Sequence, residues 1–146
     1  MRALSTDPDL LIVSCDGAAR GNPGPAGIGV QIADPHGHVV AEIAEGLGET
    51  TNNVAEYTAA IRGLQRAAEL GASRVLLRSD SKLLIEQLAG RYRVRAAHLK
   101  DLHRAAMDQA VAFQELRFEH VPRERNREAD RLANAGVDSW LAERGR

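Results

Sequence analysis

The chain has 146 residues, 44% of them hydrophobic and 27% charged, the makings of one domain with a buried core. A formal net charge of −1 excludes a strongly basic, indiscriminate nucleic-acid binder. Aromatic residues make up 3%, too few for base stacking to be a main binding device.

A continuous apolar run, Leu10 to Val13, reads as a first strand buried on both faces, with Asp16 delivered to its end. Cys15, the one cysteine, lies inside that strand and reads as a buried thiol of a reducing compartment. Gly17 to Pro25 is a dense turn signal. Ile28, Val30 and Ile32 then alternate at period two and mark a second strand, and His38 to Leu47 reads as a third. The short connections predict an antiparallel meander. Val54, Tyr57, Ile61, Leu64 and Ala68 follow helical spacing, with Thr51 or Asn52 as N-cap and Gly71 as the stop.

Arg74 to Ser79 predicts a fourth strand ending at Asp80, and Ser81 opens a short helix through Leu88. The basic stretch Arg91-Tyr92-Arg93-Val94-Arg95 reads as a connection. Leu99, Leu102, Ala106, Ala110 and Phe113 mark an amphipathic helix. Leu116, Phe118 and His120 alternate with Arg117 and Glu119 and predict a fifth strand, ended by Pro122. On this alternation His120 packs with Leu116 and Phe118, while His36, His38, His98 and His103 read as surface residues. The last helix carries Ala129, Leu132, Ala133, Gly136, Val137 and Trp140 on one face. The order β-β-β-α-β-α-α-β-α predicts an α/β fold: one five-stranded mixed sheet, three antiparallel strands then two parallel, flanked by helices. No repeat, linker or low-complexity tract interrupts it, so residues 1–146 read as a single domain with its core over about 10–142.

Four acids fall at comparable places in this scheme. Asp16 and Asp80 end the first and fourth strands, and Glu56 and Asp130 lie in the first turns of two helices. If those strands are parallel neighbours, Asp16 and Asp80 sit side by side at carboxyl ends, where α/β sheets bind ligands. Each acid alone also has an ordinary role, in a turn, as a cap, or at the positive end of a helix. Together, without a cation, they would repel one another and raise each other's pKa. Hard oxygen donors of this kind suit Mg²⁺, with Mn²⁺ as a substitute. A pair of such ions about 3.5–4 Å apart is a clamp for in-line phosphoryl chemistry.

Asp16-Gly17 with Asn22-Pro23-Gly24, Thr51-Asn52-Asn53 with Glu56, Ser79-Asp80-Ser81, and Asn126 with Ala129-Asp130 together resemble ribonuclease H type 1. The resemblance spans roughly residues 10–142 in matching order and spacing. It implies the ribonuclease H-like fold, with Asp16, Glu56, Asp80 and Asp130 as catalytic ligands of two Mg²⁺ ions. The implied reaction is endonucleolytic hydrolysis of the RNA strand of an RNA/DNA hybrid, leaving 5′-phosphate and 3′-hydroxyl ends. Asn22, Asn52, Asn53, Ser81 and Asn126 resemble the family's substrate-binding positions. An Asn amide can both donate to and accept from a 2′-hydroxyl, the group that tells RNA from DNA.

Two departures stand out. The long basic protrusion of many members shrinks here to Arg91–Arg95 and Lys100, as in compact archaeal and actinobacterial members, which implies a salt-sensitive grip on the hybrid. The loop that often supplies a mobile histidine is short, so Arg123 takes over as the loop residue near the phosphate. The implied protein is a cytoplasmic monomer with no membrane contact: the first residues, MRALSTDPDLLIVSC, form neither a signal peptide nor a membrane span. Some compact members are fused to a phosphatase-like domain, so a longer parent chain stays open. Two alternatives remain: a catalytically weak hybrid- or RNA-binding module, and a DNA nuclease or junction resolvase on the same fold.

Overall fold

A computed structural model of the chain describes residues 9–145. Its elements, in order, are β1 (Leu10–Ala19), β2 (Gly24–Ala33), β3 (Val39–Thr50), α1 (Asn52–Glu69), β4 (Arg74–Ser79), α2 (Lys82–Leu88), α3 (Ala97–Ala110), β5 (Glu115–His120) and α4 (Arg127–Arg144). A single 3₁₀ turn, Arg123–Arg125, precedes α4. The sheet order is β3-β2-β1-β4-β5. β1–β2 and β2–β3 are antiparallel, while β1–β4 and β4–β5 are parallel, giving the expected mixed sheet.

The main core lies where α1 covers the centre of the sheet. Val13, Cys15, Ile28, Val30, Leu77, Tyr57, Ala60 and Leu64 are all buried there. Period-two residues from three strands and period-3.6 residues from one helix therefore bury a common apolar face. Thr51 caps α1, its hydroxyl accepting from the Val54 N–H at 3.3 Å, and Ser81 caps α2 by accepting from Leu84 N–H at 3.2 Å. On the opposite face α4 lies against β2 and β3 at very short range. A Cβ on Gly29 would sit 2.1 Å from the Ala129 carbonyl oxygen, so only glycine permits that approach.

Several expectations change. β1 runs on to Ala19 because residues 16–19 keep pairing with Ala26–Gly29 of β2. Its pairing with β4 stops at Ser14, so Asp16 marks the end of the parallel ladder, not the end of the strand. α3 ends at Ala110, and Phe113 reaches the core from beyond it. His120 is not packed: it ends β5 exposed, because strand phase sets the side a residue faces but not whether anything covers that side. Two of the expected surface histidines have partners. His38 Nδ1 lies 3.1 Å from Asp34 Oδ2, and half-buried His103 lies edge-on to Tyr57 with Nε2 3.1 Å from the Gln87 carbonyl oxygen.

Candidate active site

The end of the β1–β4 ladder opens a cleft of about 610 Å³. Asp16, Glu56, Asp80 and Asp130 all line it, with Gly17, Arg20, Asn52, His120, Arg123 and Asn134. Each acid arrives on a different element. Asp16 pairs with Gly29, the residue pressed against α4, so the pleat directs Asp16 to the face where α4 carries Asp130. Gly17 faces the other way, towards α1. A Cβ there would stand 2.3 Å from the Ala55 carbonyl carbon, and its absence lets α1 approach until the Gly17 N–H donates to Glu56 Oε1 at 2.8 Å. Asp80 follows the last residue of β4.

Carboxylate oxygens of Asp16, Glu56 and Asp80 lie within 4.8 Å of one another, a spacing that could hold a metal ion. Asp130 stands outside this tight group but near enough to Asp16 to help raise its carboxyl. Asp16 is only 5% exposed. Burial, with the charges of Glu56 and Asp80, pushes its carboxyl up to about 9. Burial likewise pushes Glu56 up to about 8, against the pull of the Gly17 N–H and Arg123. Asp80 is raised by burial too, and Arg123 opposes that shift. Such a group is starved of positive charge, and its all-oxygen donor set matches a hard divalent cation.

The polar residues divide. Asn52 lines the cleft, its Oδ1 accepting from Ala19 N–H at 2.9 Å, while Asn22 Oδ1 accepts from Asn52 N–H at 3.0 Å. Both amides are therefore fixed by their oxygens, on residues that are exposed. Asn53 is exposed on the first turn of α1, beside the cleft lining and not in it. Ser81 is occupied as a cap and does not line the cleft. Asn126 corrects the expectation of substrate contact. It is 2% exposed, and its amide donates to the Cys15 carbonyl at 3.0 Å, tying the start of α4 to β1 beside Asp16. Its Oδ1 is buried without a hydrogen-bond partner. Burial also raises the Cys15 thiol well above its usual range.

Arg20 and Asn134 belong to the cleft, and the sequence did not single them out. Asn134 follows Asp130 by four residues, a helical spacing that could have pointed to it.

A family model described as "Reverse transcriptase-like" matches residues 14–136. A ribonuclease H of Halorhodospira halophila is 37% identical over 142 residues, covering 87% of this chain and 92% of its own. The chain belongs to the ribonuclease H family. Its sheet, with this strand order and these helices, is the ribonuclease H fold. A bifunctional protein of Mycobacterium tuberculosis is 45% identical over 131 residues, and the match covers 88% of this chain but 36% of that protein. Among solved structures, a ribonuclease H1 in complex with RNA/DNA hybrid superposes with a TM-score of 0.86 at 42% identity, covering 90% of this chain and 99% of the other. That enzyme was isolated from compost by a metagenomic approach. The matched span, residues 14–136, includes the positions of all four acids. No helix among the described residues is long and apolar enough to cross a membrane.

Proposed function

We propose that this chain is a ribonuclease H that uses two divalent ions, Mg²⁺ or Mn²⁺, to hydrolyse the RNA strand of RNA/DNA hybrids. The observation that carries it is the close group of Asp16, Glu56 and Asp80, with Asp130 beside it, in a cleft walled by asparagine. Membership of the family and the hybrid-bound structure of a 42%-identical relative support the choice of substrate. Asp16, Glu56, Asp80 and Asp130 would hold the metal. When bound, it supplies Lewis acidity to the attacking water and to the leaving 3′ oxygen. The residues do the rest. The Gly17 N–H keeps Glu56 aimed at Asp16, and Arg123 brings a positive charge to the phosphate side of the cleft. The NH₂ groups of Asn22 and Asn52, whose oxygens are already bonded, remain to donate to a 2′-hydroxyl. Asn53 extends that row, and the Ser81 hydroxyl, which accepts from Leu84 N–H as a cap, keeps its own proton to donate to a flanking phosphate.

A cytoplasmic location agrees with the buried, unpaired Cys15. The continuous sheet and shared core support one domain over residues 10–142. Monomeric action and fusion to a phosphatase-like domain are extensions of this reading, the second suited to the greater length of the mycobacterial relative.

Cleavage of a labelled hybrid at low salt, with Mg²⁺ or chelator, by wild type and Asp16→Asn tests it. Metal-dependent cutting of the RNA strand, abolished in the variant, supports the nuclease. Hybrid binding without cutting supports a binding module, a reading already weakened because a mere binder gains nothing from repelling carboxylates. Preference for a four-way junction in competition would support a resolvase.

A further inference from the structure

Asp130 is the one acid of the four outside the tight group, and it sits on α4, an element with no backbone pairing to the sheet. Its carboxylate has a donor on the same helix. Half-buried Asn134, one turn further along α4, donates through Nδ2 to the Asp130 carbonyl oxygen at 3.0 Å and to Asp130 Oδ1 at 3.4 Å. An Asn amide has donor and acceptor ends of nearly equal shape, and only the donor end suits a carboxylate. The acceptor end is claimed by Arg20. Its guanidinium, which carries donors alone, donates from Nη2 to Asn134 Oδ1 at 3.2 Å and to the Asn134 carbonyl oxygen at 3.4 Å. Arg20 is anchored in turn by Asp138 Oδ1, 2.8 Å from Nη1.

We propose that Asn134 and Arg20 are positioning residues that set the Asp130 carboxylate for metal binding, Asn134 as its donor and Arg20 as the group that anchors the Asn134 amide by its oxygen. The inference rests on the metal-dependent nuclease reading. Arg20 and Asp138 are exposed, and a pair of that kind contributes little to stability. An (i,i+4) side-chain contact on a helix contributes little as well. What this chain of hydrogen bonds does supply is orientation: it joins the turn between β1 and β2 to α4 across the cleft mouth. With Arg20 removed, the Asn134 oxygen loses its donor, and the amide is held at its NH₂ end alone, by the Asp130 carbonyl and Oδ1.

The test is the Mg²⁺ half-saturation of wild type, Asn134→Ala, Arg20→Ala and the double variant. It is read twice: from the Mg²⁺-dependent rise of the thermal midpoint without substrate, and from hybrid cleavage. Partners that orient metal ligands typically change metal affinity 10–100-fold, so each single variant is expected to raise half-saturation roughly tenfold. The metal-free midpoint should move little, the double variant should be no worse than Asn134→Ala, and Arg20→Lys should recover part of the loss. Unchanged half-saturation in both single variants, or strictly additive losses, would overturn the proposal. A fall in the metal-free midpoint with wild-type half-saturation would also overturn it, as the mark of a merely structural contact. Wild-type protein that shows the Mg²⁺ shift but cuts no hybrid would sink the nuclease reading alone, and the thermal readout would still decide the roles of Asn134 and Arg20.

Discussion

The Gly17 N–H donates to Glu56 Oε1 at 2.8 Å, so the residue after Asp16 in β1 holds the acid that α1 brings to the same cleft. Two carboxylates far apart in sequence are coupled through one backbone group. The contact exists because Gly17 has no side chain: its Cβ would lie 2.3–2.4 Å from backbone atoms of Ala55 and Glu56.

Gly17→Ala should therefore force α1 away from β1. Overpacking of this kind typically costs about 1–3 kcal/mol, and backbone on the receiving side puts the cost at the upper end or beyond. Cleavage should fall more than stability does, since Glu56 moves with the helix. Urea unfolding and hybrid cleavage measured together check this, and wild-type values in both would refute it.

Metal-free protein should lose stability as pH rises. Asp16 and Glu56 are held at about 9 and about 8 in the folded chain, chiefly by burial, whereas unfolded carboxyls ionise near 4. Between about pH 4 and pH 9 the folded state thus binds more protons than the unfolded state, and the free energy of unfolding declines with pH. With chelator present, the thermal midpoint should be lower at about pH 8 than at about pH 5. Asp16→Asn should flatten that slope. A flat profile for wild type would count against the repelling cluster.

Divalent metal should reverse the penalty. A ligand that binds only the folded state at ten times its dissociation constant adds about 1.4 kcal/mol. Mg²⁺ should raise the midpoint of wild type, and Asp16→Asn should lose most of the rise. Calorimetric scans with Mg²⁺ and with chelator make the comparison. Equal rises in both proteins would place the metal elsewhere.

Asn126→Ala should leave the Cys15 carbonyl buried without its donor, at a cost of about 1–3 kcal/mol. Asn126→Asp should cost more, because an acceptor would then face that carbonyl. Both should reduce cleavage by loosening the start of α4 beside Asp16. Denaturant midpoints of the two variants give the order, and a stability unaffected by either would remove the tie.

Arg93, Arg95 and Lys100 are exposed on and after the connection between α2 and α3, and Arg91 is paired with Glu86. Alanine at all three should weaken hybrid binding and make its salt dependence shallower. Every phosphate that these side chains no longer neutralise reduces the log–log slope by roughly 0.9. Binding titrations across a salt series measure it. An unchanged slope would mean that this segment does not touch the hybrid.

Much of the fold was readable locally. Alternation at Ile28, Val30 and Ile32 and helical spacing at Val54, Tyr57, Ile61 and Leu64 are recorded in neighbouring residues, and the strands and helix stand where those patterns put them. The four acids were readable jointly, not singly: each has an ordinary role alone, but four converging carboxylates repel without a cation, and their motifs resemble those of ribonuclease H type 1. The misreadings share a different cause. Asp16-Gly17-Ala18-Ala19 has the composition of a turn, yet it is strand because Ala26–Gly29 pair with it. His120 has the phase of a packed residue on a face that nothing covers at the strand's end. Asn126 has the look of a loop ligand, and burial makes it a brace for Cys15 instead.

By itself, then, the sequence determined the kinds and order of the elements, since these follow from residue type and short-range periodicity, while the four acids and the family were legible through the resemblance of their motifs to ribonuclease H type 1. Tertiary structure decided which acids meet, which asparagines stay free, and that Arg20 reaches Asn134 across the cleft. Those outcomes depend on where β1 parts from β4 and on backbones touching at Gly17 and Gly29. Contacts between distant segments leave no periodic trace in either one, so they appear only when the chain has closed on itself.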